Sequence, residues 1–199
     1  MNNYEKIIKH LKTVKTSSTS SITSSLGVDR KYLSILVEKG LIDHPSRGIY
    51  SLKNTIEDEY FSLSTRCKRC IFSHDTALFF HDLTDRTPLN FSITIPSGYN
   101  DNYLRKNDST IEIFYIKKEL HQIGKINMSS PSGKTIPVYD RERTICDLVR
   151  SKNRIESQIF TDALKKYSAS NNKNLNKLMD YAQIFKVSKK IHEYMEVLI

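Results

Sequence analysis

Four groups of residues in this sequence have side chains able to do chemistry. Cys67-Lys68-Arg69-Cys70 has the two-residue gap of half a zinc site. A four-ligand site would need a second pair; the remaining Cys146 stands alone, and His74 or His81 would have to complete the set. No metal or other cofactor is expected. His74-Asp75 and His81-Asp82 each place a base beside a carboxylate, and Asp140-Arg141-Glu142-Arg143 is followed by Asp147. No Gly-x-Ser-x-Gly, phosphate-binding glycine loop or His-Glu-x-x-His accompanies them. Without a convergent nucleophile and base, no enzymatic activity is expected. The fourth group is basic. Arg30, Lys31 and Ser34 precede a turn whose tip carries Arg47, and such residues recognise a polyanion.

The elements around the fourth group give it a setting. Tyr4, Ile7, Ile8, Leu11 and Val14 recur every three or four residues, one apolar stripe of a helix. The hydroxyl-rich run 16–25 contains Ile22, with Leu26 four residues on. That spacing predicts a short helix capped by Ser18 or Thr19 rather than a linker. Gly27 ends it, and Asp29 is the expected N-cap of the next helix. That helix turns Leu33, Leu36 and Val37 inward and Arg30, Lys31 and Ser34 outward, with Tyr32 between the faces. Gly40 closes it. Leu41-Ile42 and Ile49-Tyr50 then read as strands joined by Pro45-Ser46-Arg47-Gly48. A helix, a Gly-Leu-Ile step and a basic hairpin form the pattern of a winged helix-turn-helix. Its second helix of the motif reads bases in a major groove. Arg30 has the geometry for guanine. Lys31, Thr19 and Ser20 suit phosphates, Tyr32 either, and Arg47 a minor groove or phosphate.

The rest of the chain reads as a second domain. Acidic residues 54–59 open a helix reaching about Arg66, and Ile71-Phe72 is a short apolar piece. Residues 73–81 read as an N-capped, mostly buried helix, and 89–95 as an alternating, half-buried strand. Further strands are expected at 111–116, 124–128 and 135–139, and helices at 141–150, 155–167, 175–185 and 188–198. Asp140 should cap the first of these, with Ile145, Leu148 and Val149 buried and Asp147 outward. Strands ahead of helices make the class α+β: a winged helix over 1–53, then a mixed α/β domain over 54–199, with an antiparallel or mixed sheet and a helical C-terminal part.

Charge supports this division. The net +9 is concentrated at the two ends: residues 1–53 carry +5, the middle to residue 151 is neutral, and 152–199 carry +4. A basic first domain favours a nucleic acid, while the later excess reads as solvated helix faces. The opening residues carry no apolar signal region, and no run approaches the roughly 18 apolar residues of a membrane span. Three cysteines provide no disulfide framework. A cytoplasmic protein without a membrane partner is the expectation.

Three segments, taken together, resemble a known family. They are Gly40-Leu41-Ile42 with Ser46-Arg47-Gly48-Ile49-Tyr50, then Ser73-His74-Asp75-Thr76-Ala77-Leu78-Phe79-Phe80-His81-Asp82-Leu83, then Tyr139-Asp140-Arg141-Glu142-Arg143-Thr144-Ile145-Cys146-Asp147-Leu148. In that order and spacing they resemble AbiEi-type antitoxins of type IV, abortive-infection toxin–antitoxin systems used in phage defence. The first segment is generic to winged helices; the other two are more specific. The resemblance implies an N-terminal domain that binds inverted repeats in its own promoter, a transcriptional repressor acting by autoregulation. It also implies a C-terminal domain that counters a nucleotidyltransferase-like toxin, directly or indirectly. His74, Asp75, Arg141, Arg143 and Asp147 are the candidate antitoxin surface. Two alternatives remain: an enzyme-like C-terminal domain that modifies toxin or nucleic acid, and a plain winged-helix regulator with a ligand-sensing domain.

Overall fold

The computed structural model describes residues 2–107 and 110–198. Its class is α+β, and the chain divides into two compact units. One comprises Met1–Lys68 with Ser129–Ile136, the other Arg69–Met128 with Pro137–Ile199.

The first unit begins with α1 (Asn3–Val14), whose stripe buries Ile7 and Leu11 completely. Strand β1 (Thr16–Ser18) follows, then α2 (Thr19–Leu26) and α3 (Lys31–Glu38). The hydroxyl-rich α2 forms because its side chains satisfy their own backbone. Ser18 Oγ accepts from the Ser21 N–H, and Thr23, Ser24 and Ser25 donate to carbonyls one turn back. Gly27 at φ +63° ends it. Strands β2 (Ile42–Ser46) and β3 (Ile49–Leu52) make the hairpin, so its turn is Arg47-Gly48, tighter than the four residues expected. A bulge between Asp43 and Ser46 absorbs His44 and Pro45. Strand β1 pairs antiparallel with β3, giving the order β1-β3-β2. Three hydroxyl residues carry no apolar alternation, so β1 has no signal in the sequence.

This unit runs beyond residue 53. Helix α4 (Glu59–Arg66) belongs to it, capped by Asp58, which accepts the Phe61 N–H at 3.0 Å. The same buried carboxylate accepts hydroxyls from Ser130 and Ser132, which draws Ser129–Ile136 into the unit.

In the remainder of the chain, β4 (Ile71–Phe72), α5 (His74–Phe80), β5 (Phe91–Pro96), α6 (Asn102–Asn107) and β6 (Ile111–Ile116) are followed by β7 (Lys125–Ser129) and β8 (Thr135–Tyr139). The sheet is mixed, in the order β6-β5-β4-β8-β7, with β5 parallel to β6 and antiparallel to β4. The expected half-buried β5 is covered on both faces. Its polar alternates Ser92 and Thr94 are buried: the Thr94 hydroxyl donates to Ser73 Oγ at 2.8 Å, the Ser92 hydroxyl to Glu112 at 3.5 Å, and the Ser92 N–H to Thr76 Oγ1.

Helices α7 (Arg141–Arg150), α8 (Ser157–Ala169), α9 (Leu175–Ile184) and α10 (Ser188–Leu198) complete the second unit. Helix α7 packs against α5, α8, α9 and α10, and every residue from Glu142 to Val149 is buried. Arg143, with no exposure, is the largest of the fully buried side chains. Its Nε donates to Asp147 Oδ2 at 2.9 Å, and Nη1 donates to the Leu120 and Ile123 carbonyls at 3.1 and 2.8 Å. The guanidinium carbon lies 4.1 Å from the Tyr139 ring centroid and 3.9 Å from that of Phe185. Asp147→Asn leaves this guanidinium buried without its counter-ion and should cost about 3–5 kcal/mol. The double variant Arg143→Met/Asp147→Leu removes both charges and should be more stable than Asp147→Asn alone. Urea midpoints check both; a single variant as stable as the parent would contradict the pairing.

Candidate nucleic-acid interface

The basic residues of the first unit are exposed by the burial of their neighbours. On α3, Leu33 and Leu36 are fully buried in a cluster with Ile7, Leu11 and Ile22. That fixes the helix rotation and leaves Lys31 and Ser34 in solvent, with Arg30 exposed just before the first turn. Asp29 was expected to be the N-cap. Arg30 occupies that position, in helical geometry, while the Asp29 carboxylate accepts the Lys31 N–H at 2.8 Å.

Tyr32 is half-buried. Its ring meets Tyr4 of α1 edge-on at 5.3 Å, so its place in the unit is a packing contact. Lys31 Nζ lies 5.4 Å from the Tyr32 ring centroid.

The hairpin tip is held in place. Thr19 donates both its N–H (2.8 Å) and its hydroxyl (3.2 Å) to the Gly48 carbonyl. The Thr19 hydroxyl proton, expected to meet phosphate, is therefore committed to the turn. Gly48 at φ +80° allows the reversal, and exposed Arg47 projects beside it. His44 stacks on Tyr50 at 4.6 Å across the bulged part of the hairpin. Ser20 remains exposed, its hydroxyl 3.2 Å from that of Ser18. Arg30, Lys31, Ser34, Ser20 and Arg47 are thus the solvent-facing members of the expected set.

The candidate surface of the second unit is corrected by burial. Asp147, expected outward, has no exposure, because four helices enclose α7 and Arg143 and Arg150 pair with its two oxygens. Burial pushes its carboxyl up from the ordinary range, and the two arginines oppose that. Arg143 is internal for the same reason. Opposite charges four residues apart on one helix were the available sign of this pair.

His74 is also internal. It begins α5 at φ +44°, with its imidazole 2.9 Å from Ser73 Oγ and 3.0 Å from Ser151 Oγ. It stacks on Phe114 at 3.4 Å. Burial, then Arg150, Arg154 and Arg143, hold its pKa well below 6.5.

Only Asp75 and Arg141 reach the surface, each in part. Burial and then Glu112 and Glu156 raise the Asp75 carboxyl, whose Oδ1 has no hydrogen-bond partner among the described residues. Arg141 donates to Ser170 Oγ at 3.1 Å and, with His81 and Lys166, lines a shallow cavity of about 320 Å³. Asp140 caps α7 through the Arg143 N–H at 2.8 Å, and Lys177 and Tyr181 bond its other oxygen.

Cys67, Cys70 and Cys146 are buried, and burial raises the Cys146 thiol to about 12. Among the described residues, no group of three or more His, Cys, Asp or Glu could hold a metal ion. Among the same residues, no helix is long and apolar enough to cross a membrane.

No protein-family model matches the chain, and no curated protein matches it. Among solved structures, its fold is similar to that of the RV2827C protein from Mycobacterium tuberculosis. The TM-score is 0.60 over 91% of this chain and 71% of that one, at 13% sequence identity. At that identity the likeness is one of fold alone.

The buried histidines make stability depend on pH. His74, His81 and His121 all have lowered pKa values, led in each case by burial. Folded, they stay neutral where the unfolded chain would take up protons. Their contribution is therefore complete above about pH 6.5 and is lost as pH falls below it. The loss is at most about 1.4 kcal/mol per pH unit for each histidine. Urea midpoints should fall between pH 7.5 and 5.5, and His74→Gln should flatten that slope. A parent midpoint constant over the range would refute the assignment.

Proposed function

We propose that the first unit is a winged helix-turn-helix that binds duplex DNA, and that the chain is an antitoxin of the AbiEi type that represses its own operon. The carrying observation is a juxtaposition. A helix order of α1, α2, α3 ends in a hairpin whose strand β3 pairs with β1, and exposed basic residues stand at the start of α3 (Arg30, Lys31) and at the hairpin tip (Arg47). In this reading α3 enters a major groove. Arg30 donates to guanine, while Lys31, Ser34 and Ser20 meet phosphates. Arg47 lies on the backbone or in the minor groove alongside. The Thr19 bonds to Gly48 hold that arginine in a fixed place, which lowers the ordering cost of the contact.

The test is fluorescence anisotropy with a duplex taken from upstream of the chain's own coding sequence. Affinity should fall steeply with potassium chloride as counterions are released. Arg30→Ala should cost about 1–3 kcal/mol and relax preference at one base position. Arg47→Ala should weaken all sequences alike and make the salt slope shallower by about one. Binding that ignores salt, or an Arg30→Ala protein with unchanged preference, would defeat the DNA reading.

The antitoxin reading rests on the resemblance of the 73–83 and 139–148 segments. The toxin it implies is a nucleotidyltransferase-like protein encoded beside this chain. That neighbour should arrest growth when expressed alone and be harmless when this chain is co-expressed. Arg47→Ala should weaken repression and leave neutralisation intact. A neighbour that is harmless alone would remove the antitoxin reading and leave the DNA reading standing.

A further inference from the structure

We propose that the cavity between α8 and α10 binds a small amphipathic carboxylate, such as a medium-chain fatty acid. The cavity has a volume of about 550 Å³, inside the range of roughly 300–1,000 Å³ typical of small-ligand sites. Its floor is apolar: Ile155, Phe160 and Leu164 are 8%, 5% and 3% exposed. Leu198 and Tyr194 line its wall, and Val197, 85% exposed, stands at its rim. An apolar chain laid here leaves water on both sides of the contact.

The charge at the mouth selects the head group. Lys152 Nζ donates to the Tyr194 hydroxyl at 3.0 Å. It also lies 5.1 Å from the Phe160 ring centroid and 5.4 Å from that of Tyr194. The two rings meet edge-to-face at 5.3 Å, so the ammonium at the mouth lies against both of them. No Asp or Glu lines the cavity, and among the described residues no carboxylate lies within salt-bridge distance of Lys152. Nearby Arg154 is paired with Glu112 and does not supply a second charge. Tyr194 accepts from Lys152, so its own hydroxyl proton is available to donate. One ammonium and one phenol hydroxyl match a monoanion. A phosphate monoester would keep a charge unanswered.

The site lies wholly within the second unit and does not depend on DNA binding. The full chain, with labelled Ile, Leu and Val methyl groups, should be titrated by NMR with decanoate, decanol and decyl phosphate. Decanoate should saturate one site, with shifts confined to Ile155, Leu164, Val197 and Leu198. Decanol should bind at least about tenfold more weakly, and decyl phosphate no more tightly than decanoate. Lys152 is exposed, so Lys152→Met keeps the fold. It should abolish the preference for decanoate over decanol while leaving decanol affinity within about twofold.

Equal affinity for decanoate and decanol would overturn the proposal, as would tighter binding of decyl phosphate or shifts scattered without saturation. So would a dimer in sedimentation that dissociates on Val197→Asp, because the groove would then be covered by a second copy.

Discussion

A guanidinium with no access to water must have its charge and its donors answered by protein, and Arg143 imposes that demand on the second unit. Three of its N–H groups are met by Asp147 and by the carbonyls of Leu120 and Ile123. Its Nη2 has no hydrogen-bond partner among the described residues, and the faces of Tyr139 and Phe185 lie against the guanidinium. Each partner comes from a different element: the end of β8, the loop before β7, α7 itself and the residue after α9. The loop must approach closely enough for its carbonyls to reach. Gly124, at φ +77°, makes that possible, since a Cβ there would sit 2.6 Å from Arg143 Cβ. Asp140 sets the start of α7 and hence the angular position of Arg143 one turn on. A buried ion pair of this kind need not add net stability over an apolar substitute. It specifies the arrangement, because any other packing strands a charge.

The first unit is specified by different means. It is small, and its interior is an apolar cluster of aliphatic side chains with Tyr50. Position is fixed at its edges by hydroxyls: Ser18 starts α2, Thr19 ties the hairpin turn, and Ser130 and Ser132 hold Asp58. Each bond is worth little alone, about 0.5–1.5 kcal/mol. Their value is geometric, since they fix the start of α2, the hairpin turn and the start of α4 while leaving Arg47 in solvent.

How much of this the sequence reveals depends on whether a residue's neighbours are local. Helices α7 and α10 were readable to their terminal residues, because caps and apolar spacing act within a few positions. The exposed basic set on α3 and the hairpin tip was readable for the same reason. The β1 strand was not, because three hydroxyl residues take their partner from β3 far along the chain. The burial of β5 on both faces was hidden too. Ser92 and Thr94 are polar by type and are internal because their hydroxyls find Glu112 and Ser73, partners far along the chain.

Asp147 shows the general form of that failure and what it means for function. On an amphipathic helix a charged position is read as solvent-facing, and the reading holds when one face is covered. Helix α7 is covered all round, so its charges face each other. The acid and base residues of segment 139–148 are therefore engaged mainly with one another inside the second unit. A surface that acts on a partner must be built from what this core leaves outside. On α7 that leaves Arg141 and Arg150, each partly exposed. Arg150 is turned inward to Asp147, whereas Arg141 reaches Ser170 at the rim of the shallow cavity that His81 and Lys166 share. Substitutions within the motif's buried residues would report on folding, and only those around Arg141 could report on recognition.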